Sequence, residues 1–158
     1  MKLSLSKEDF IAAAKTANLI TVSTELTMDL DTPVSIYYKL VGEQQGYIME
    51  SVDTTQQQFG RYSFIGGEPF VRVQVFADKL LVSENGLMKS ITGAPHETMK
   101  AYAARFTPAV TDKETLPLVH GGFAGYFSYE TAATFDRVRG VALGGEHLLG
   151  QFMLCRYL

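Results

Sequence analysis

Two short β-rich runs meeting at Asn85-Gly86 constrain this chain more than any other feature. Both turn residues tolerate positive φ, which a two-residue hairpin turn requires, so Lys79–Ser83 and Leu87–Ile91 are predicted to pair antiparallel. Just upstream, Phe70 to Phe76 alternates strictly. Val71, Val73 and Val75 share one face, and Arg72 and Gln74 the other. That period of two is the mark of a strand with one buried side. A meander is therefore expected in the middle of the chain.

Helical signals flank it. Ser6-Lys7-Glu8-Asp9 has a hydroxyl three residues before a carboxylate, as in a capping box, and Phe10–Lys15 follows as a good helix former. Pro33 suits the first turn of a second helix, with Ile36, Tyr37 and Leu40 on one face. Pro95–Phe106 reads as a third, with Met99, Tyr102, Ala103 and Phe106 inward. Further strands are expected at Ile20–Thr27, Tyr47–Ser51, across the aromatic and glycine-rich Leu118–Tyr129, and at Gln151–Leu158. The fold class implied is α+β with a mainly antiparallel sheet. The apolar final run is either a strand docked in that sheet or the point where a longer protein continues.

Composition narrows the function. Apolar residues make up 46% of the 158, a globular rather than disordered balance. A net charge of -3, with scattered Lys and Arg, excludes an electrostatic footprint for nucleic acid. No apolar run nears the roughly 20 residues that span a bilayer. One cysteine, Cys155, and the lack of a signal-like start lead to the expectation of a cytoplasmic protein. Cys155 reads as a buried small hydrophobe.

Catalytic patterns are scarce. His96, His120 and His147 fall in separate segments without metal-ligand spacing. Gly121-Gly122-Phe123-Ala124-Gly125 lacks the Gly-Lys-Ser/Thr ending of a phosphate loop, so its glycines are expected to serve close packing.

Four segments, in order, carry a resemblance: Thr32–Leu40 (TPVSIYYKL), Tyr47–Val52 (YIMESV), Gly60–Pro69 (GRYSFIGGEP) and Gly121–Glu130 (GGFAGYFSYE). Together the chain resembles the amino-terminal region of the large subunit of anthranilate synthase. Aminodeoxychorismate synthase shares this region more loosely, and a free-standing amino-acid-binding module is a further alternative. The resemblance implies one amino-terminal domain over residues 1–158, part of a layered α/β/β/α architecture of two packed sheets. It implies a lyase that converts chorismate and ammonia to anthranilate and pyruvate in tryptophan biosynthesis. A glutamine amidotransferase partner supplies the ammonia, and Mg2+ acts in the full-length enzyme. The chorismate pocket, the magnesium carboxylates and the catalytic histidine belong to a later domain, so this chain is expected to be inactive alone and to hold no cofactor. With only part of the architecture present, an apolar sheet face and weak self-association through it are expected.

What the region contributes in the family is part of the feedback site for L-tryptophan, built on a Leu-Leu-Glu-Ser motif; Ile48-Met49-Glu50-Ser51 stands there. An amino-acid zwitterion needs an acceptor, donors and an apolar slot. Ser51 supplies a hydroxyl, Glu50 a carboxylate, and Met49 a polarizable edge for the indole. Arg61 is either a bidentate partner for the ligand carboxylate or a scaffold residue. Pro33 walls the slot or simply opens its helix. Successive strand residues face opposite sides, so Glu50 and Ser51 share one pocket only if the chain bends after Met49. Ser51 ranks first, with Glu50 otherwise bracing Arg61 or a backbone group.

Overall fold

A computed structural model describes residues 2–50, 62–109, 121–136, 143–144 and 146–158. Its centre is the meander. β2 (Ser63–Val75), β3 (Lys79–Glu84) and β4 (Leu87–Thr92) run antiparallel, and the turn between the last two has φ of 49° at Asn85 and 82° at Gly86. β1 (Gly46–Glu50) pairs with the first half of β2. β6 (Gly150–Tyr157) runs along the other edge of β2, and β5 (Ala124–Phe127) completes the sheet in the order β4-β3-β2-β6-β5. The protein is α+β, with a six-stranded antiparallel sheet among the described residues and a few flanking helices.

The alternation at Val71, Val73 and Val75 becomes the core: all three are fully buried, with Leu80, Val82 and Leu149. They face α3 (Pro95–Ala103), whose Tyr102 is buried with them while Met99 and Phe106 pack at the margin. Tyr102, Phe106 and Phe123 meet edge to face with centroids 5.7–6.2 Å apart, a geometry that adds to their area burial. α3 stops three residues short of the expected Phe106, and reverse-turn bonds from Arg105 and Phe106 carry the chain out.

α1 (Lys7–Ala13) starts at Ser6, whose hydroxyl accepts the Asp9 N–H. α2 (Pro33–Leu40) has a reciprocal box: Thr32 Oγ1 accepts from Ser35 N at 3.1 Å, and Thr32 N donates to Ser35 Oγ at 3.0 Å. Pro33 at the first position loses nothing, because that N–H would be unpaired anyway.

Three expectations are corrected. Ile20–Thr27 forms no strand. Its neighbourhood is held by single bonds, Ala109 N to Leu19 O at 2.8 Å and Ser4 N to Ser23 O at 2.8 Å, so no ladder exists to realise its β propensity. The expected strand to Tyr129 stops at Phe127, and Tyr129 instead opens a 3-10 helix (Tyr129–Thr134), with Thr131 Oγ1 donating to Leu149 O at 2.6 Å. Gly121 and Gly122 are conformational rather than packing glycines: their φ values are 138° and 122°, and a Cβ on Gly122 would meet nothing within 4 Å. Gly125 does serve packing. A Cβ there would overlap Gln151 O and lie 2.7 Å from Phe152 Cα. The expected strand from Leu118 begins outside the described residues.

Gly125→Ala should therefore cost about 1–3 kcal/mol through forced separation of β5 from β6, read as a lower urea midpoint, whereas Gly86→Asn, strained only by its φ of 82° and meeting no neighbour within 4 Å, should lower it less. Equal midpoints for wild type and Gly125→Ala would show that β5 is not held this tightly.

Candidate functional site

The corner where β1 meets the start of β2 carries Met49 and Glu50, two of the residues singled out in the sequence. Its packing depends on missing side chains. Tyr47 lies against Gly66, where a Cβ would overlap its ring, and Tyr157 lies likewise against Gly67. Tyr157 Oη then donates to Leu40 O at 2.6 Å, fastening the end of α2 to the end of β6. Val41, just beyond α2, is buried and abuts Gly46. At the start of α2, Asp31 Oδ1 accepts from Lys39 Nζ at 2.6 Å and Ser35 Oγ at 2.7 Å. The Lys39 contact, helped by Ser35, holds the Asp31 carboxyl below its ordinary range.

Within this corner, Met49 stands opposite Phe64 and Glu50 opposite Ser63. The two are exposed and point to opposite sides of the strand, as the period of two requires. Pro33 is half-buried at the head of α2. Ser51 and Arg61 lie outside the described residues. Tyr62, next to Arg61, is half exposed and stacks on Phe64 at 6.5 Å.

Two cavities lie nearby. One of about 840 Å³ runs between residues 17–24 and the corner, lined there by Tyr47, Phe70, Cys155 and Tyr157. Burial raises the Tyr47 phenol, with a smaller contribution from Cys155, and burial also raises the Cys155 thiol. Both stay neutral near pH 7. Cys155 is half-buried rather than fully enclosed. The second cavity, about 530 Å³, is apolar and lies under α3 between Leu19, Phe106, Phe123 and Phe152. Met49, Glu50 and Pro33 line neither, although Tyr47 shares the face of Met49. Sequence reasoning missed Tyr47; the Gly66-Gly67 pair inside a strand was the available signal of an aromatic lying close to backbone.

Away from the corner, one carboxylate organises the hairpin and α3. Glu84 Oε2 accepts from Lys89 Nζ at 2.8 Å, Tyr102 Oη at 3.0 Å and Arg105 Nη1 at 3.2 Å. The two cations also sit 5.1 and 5.0 Å from the Tyr102 ring centroid. Lys89, aided by Tyr102, keeps the Glu84 carboxyl below its ordinary range. Burial, then the Glu84 carboxylate, pushes the Tyr102 phenol up to about 12. His96 contacts no partner that would make it a base: its Nε2 lies 2.7 Å from Thr134 Oγ1, and its ring stacks on Phe135 at 3.7 Å. Because the Thr134 hydroxyl already donates to Thr131 O, it accepts from His96 Nε2–H. Burial lowers the His96 pKa, against a smaller opposing effect of Glu97. Among the described residues, no three His, Cys, Asp or Glu side chains gather as a metal site, and no helix is long and apolar enough to cross a membrane.

Comparison with known proteins finds relatives of one name. Component 1 of anthranilate synthase from Neisseria gonorrhoeae is 38% identical over 135 residues, 84% of this chain and 27% of that protein. The chain is homologous to the amino-terminal region of anthranilate synthase component 1. The component 1 of Acetivibrio thermocellus is 31% identical over 129 residues (81% of this chain, 26% of that protein), and that of Aquifex aeolicus 32% over 141 (87% and 28%). The chain thus spans about a quarter of the length of these relatives. No protein-family model matches.

The Glu84 cluster contributes to the dependence of stability on pH at both ends. A depressed folded-state carboxyl contributes stability fully present above the ordinary carboxylate range and lost as pH falls through the lowered value. A raised phenol contributes stability present below about pH 10 and lost as pH rises toward about 12. Glu84→Gln should remove this cluster's part of the acid limb and reduce, without removing, its part of the alkaline limb, since Tyr102 stays buried, in thermal melts taken across pH. Limbs identical to wild type would place the linkage on other groups.

Proposed function

We propose that this chain is the amino-terminal domain, over residues 1–158, of an anthranilate synthase component 1, and that it contributes the L-tryptophan feedback site while lacking the catalytic centre. The observation that carries this reading is the likeness of over four fifths of the chain to relatives bearing that name, with Ile48-Met49-Glu50 closing β1 and Ser51 next in sequence. The complete protein would be a cytoplasmic lyase taking chorismate and ammonia to anthranilate and pyruvate. Its ammonia would come from a glutamine amidotransferase subunit. Magnesium would be held by carboxylates in the remainder of such a protein; the described residues here offer no cluster for it.

In this reading Ser51 and Arg61 meet the polar ends of tryptophan, Met49 borders the indole, Glu50 braces the opposite side of β1, and Pro33 walls the slot. Inhibition follows from preference. Tryptophan favours a conformation in which the catalytic domain is misaligned, and its effect equals the difference in its affinity for the two states. The anchored α2 and the Tyr47 and Tyr157 contacts support this, since they join the motif strand to the middle of the sheet.

The chain contains no tryptophan, so added L-tryptophan is the only indole in solution. A saturable rise in its fluorescence anisotropy, abolished by Ser51→Phe with the circular dichroism spectrum unchanged, is expected. No rise with wild type would refute a feedback site formed by this chain. Turnover of chorismate with ammonia by the same preparation would refute its catalytic silence.

A further inference from the structure

At the corner of the sheet, one row across three strands carries a single side chain. Gly46 of β1 stands opposite Gly67 of β2, and Gly67 stands opposite Tyr157 of β6. The Tyr157 ring lies where a Cβ on Gly67 would stand, and Val41 fills the corresponding place at Gly46. Any side chain at position 67 would displace the ring. Lying over β2 in this way, Tyr157 reaches α2, and its hydroxyl donates to Leu40 O at 2.6 Å. The choice of acceptor has a physical reason. Leu40 is the last residue of α2, and the carbonyls of a final helical turn have no partner within the helix. A strand far along the chain thus completes the hydrogen bonding at the tail of α2.

Tyr47 answers it from the other flank. It belongs to β1, and its ring occupies the place of a Cβ on Gly66. Gly66 and Gly67 are successive strand residues, so the two rings lie on opposite faces of β2. The strand is gripped from both sides at one point. Two contacts at the tail of α2 then seat that helix beside β1: Val41 against Gly46, and the Tyr157 bond. The head of the same helix carries Pro33, and the end of β1 carries Met49 and Glu50.

We propose, resting on the feedback-site reading above, that Tyr157 is a positioning residue for L-tryptophan. Its hydroxyl holds α2 against the sheet in the placement at which Pro33 and the Ile48–Ser51 motif act on one ligand. Tyr157 works through α2 and needs no contact with the ligand. A ligand that engages both elements binds more tightly to the chain in which the bond is made, and by reciprocity its binding strengthens the bond.

Tyr157→Phe keeps the ring over Gly67 and deletes only the donor. In anisotropy titrations it should bind L-tryptophan roughly two- to tenfold more weakly than wild type, the range set by the net worth of one hydrogen bond. Glu84→Gln, which loosens the hairpin and α3 away from this corner, should bind as wild type does. The Val41 N–H donates to Tyr37 O at 2.7 Å in the last turn of α2. Its exchange, followed by NMR, should slow when L-tryptophan is added to wild type and slow less in Tyr157→Phe. Saturable binding by wild type with the same affinity in Tyr157→Phe overturns the positioning role and leaves the feedback site standing. Equal losses in Tyr157→Phe and Glu84→Gln also overturn it, because they report general loosening. No binding by wild type refutes the feedback site and the positioning role together.

Discussion

Everything in this molecule is referred to β2, a strand of thirteen residues that must serve three partners. One edge pairs with β6 from Gly67 to Val75; the other pairs first with β1 and then with β3. The change of partner coincides with an interruption. Glu68 has a left-handed φ of 52°, Pro69 has no N–H to give, and the register with β6 shifts between Pro69 and Val71. An extra residue on one strand bends it and increases its local twist. Thus the half of β2 beyond the shift builds the valine core under α3, and the half before it builds the glycine and tyrosine corner. Both follow from one local irregularity.

The core half was legible in the sequence because its cause is local. Period-two alternation at Val71, Val73 and Val75, together with a turn that needs two positive φ values, determines strand, face and register with no knowledge of the rest of the chain. Caps at Ser6 and Thr32 are equally local. What escaped was decided at long range. Ile20–Thr27 has the composition of a strand, yet its hydrogen bonds go singly to residues far away in sequence. Gly121 and Gly125 look alike in sequence, but one is needed for its φ and the other for the backbone it touches.

The candidate site was legible in a different way. Resemblance picked out a motif, and chemistry then ranked the side chains within it. Alternation sets Glu50 and Ser51 on opposite sides of an unbent strand, and of that pair only Glu50, opposite Ser63, is among the described residues. Tyr47 and the cavity it lines depend on how residues near 20 and 155 are brought beside β1, which no local pattern encodes.

The interruption in β2 also gives the sheet a mechanical axis. Between Pro69 and Val71 the register with β6 shifts, and the nearby Glu68–Arg156 ion pair at 3.4 Å is exposed and adds little. A push applied to β1 reaches α2 through Val41, which abuts Gly46, and the Tyr157–Leu40 bond passes it on to β6. The densely packed valine face on the far side acts as the fixed mount.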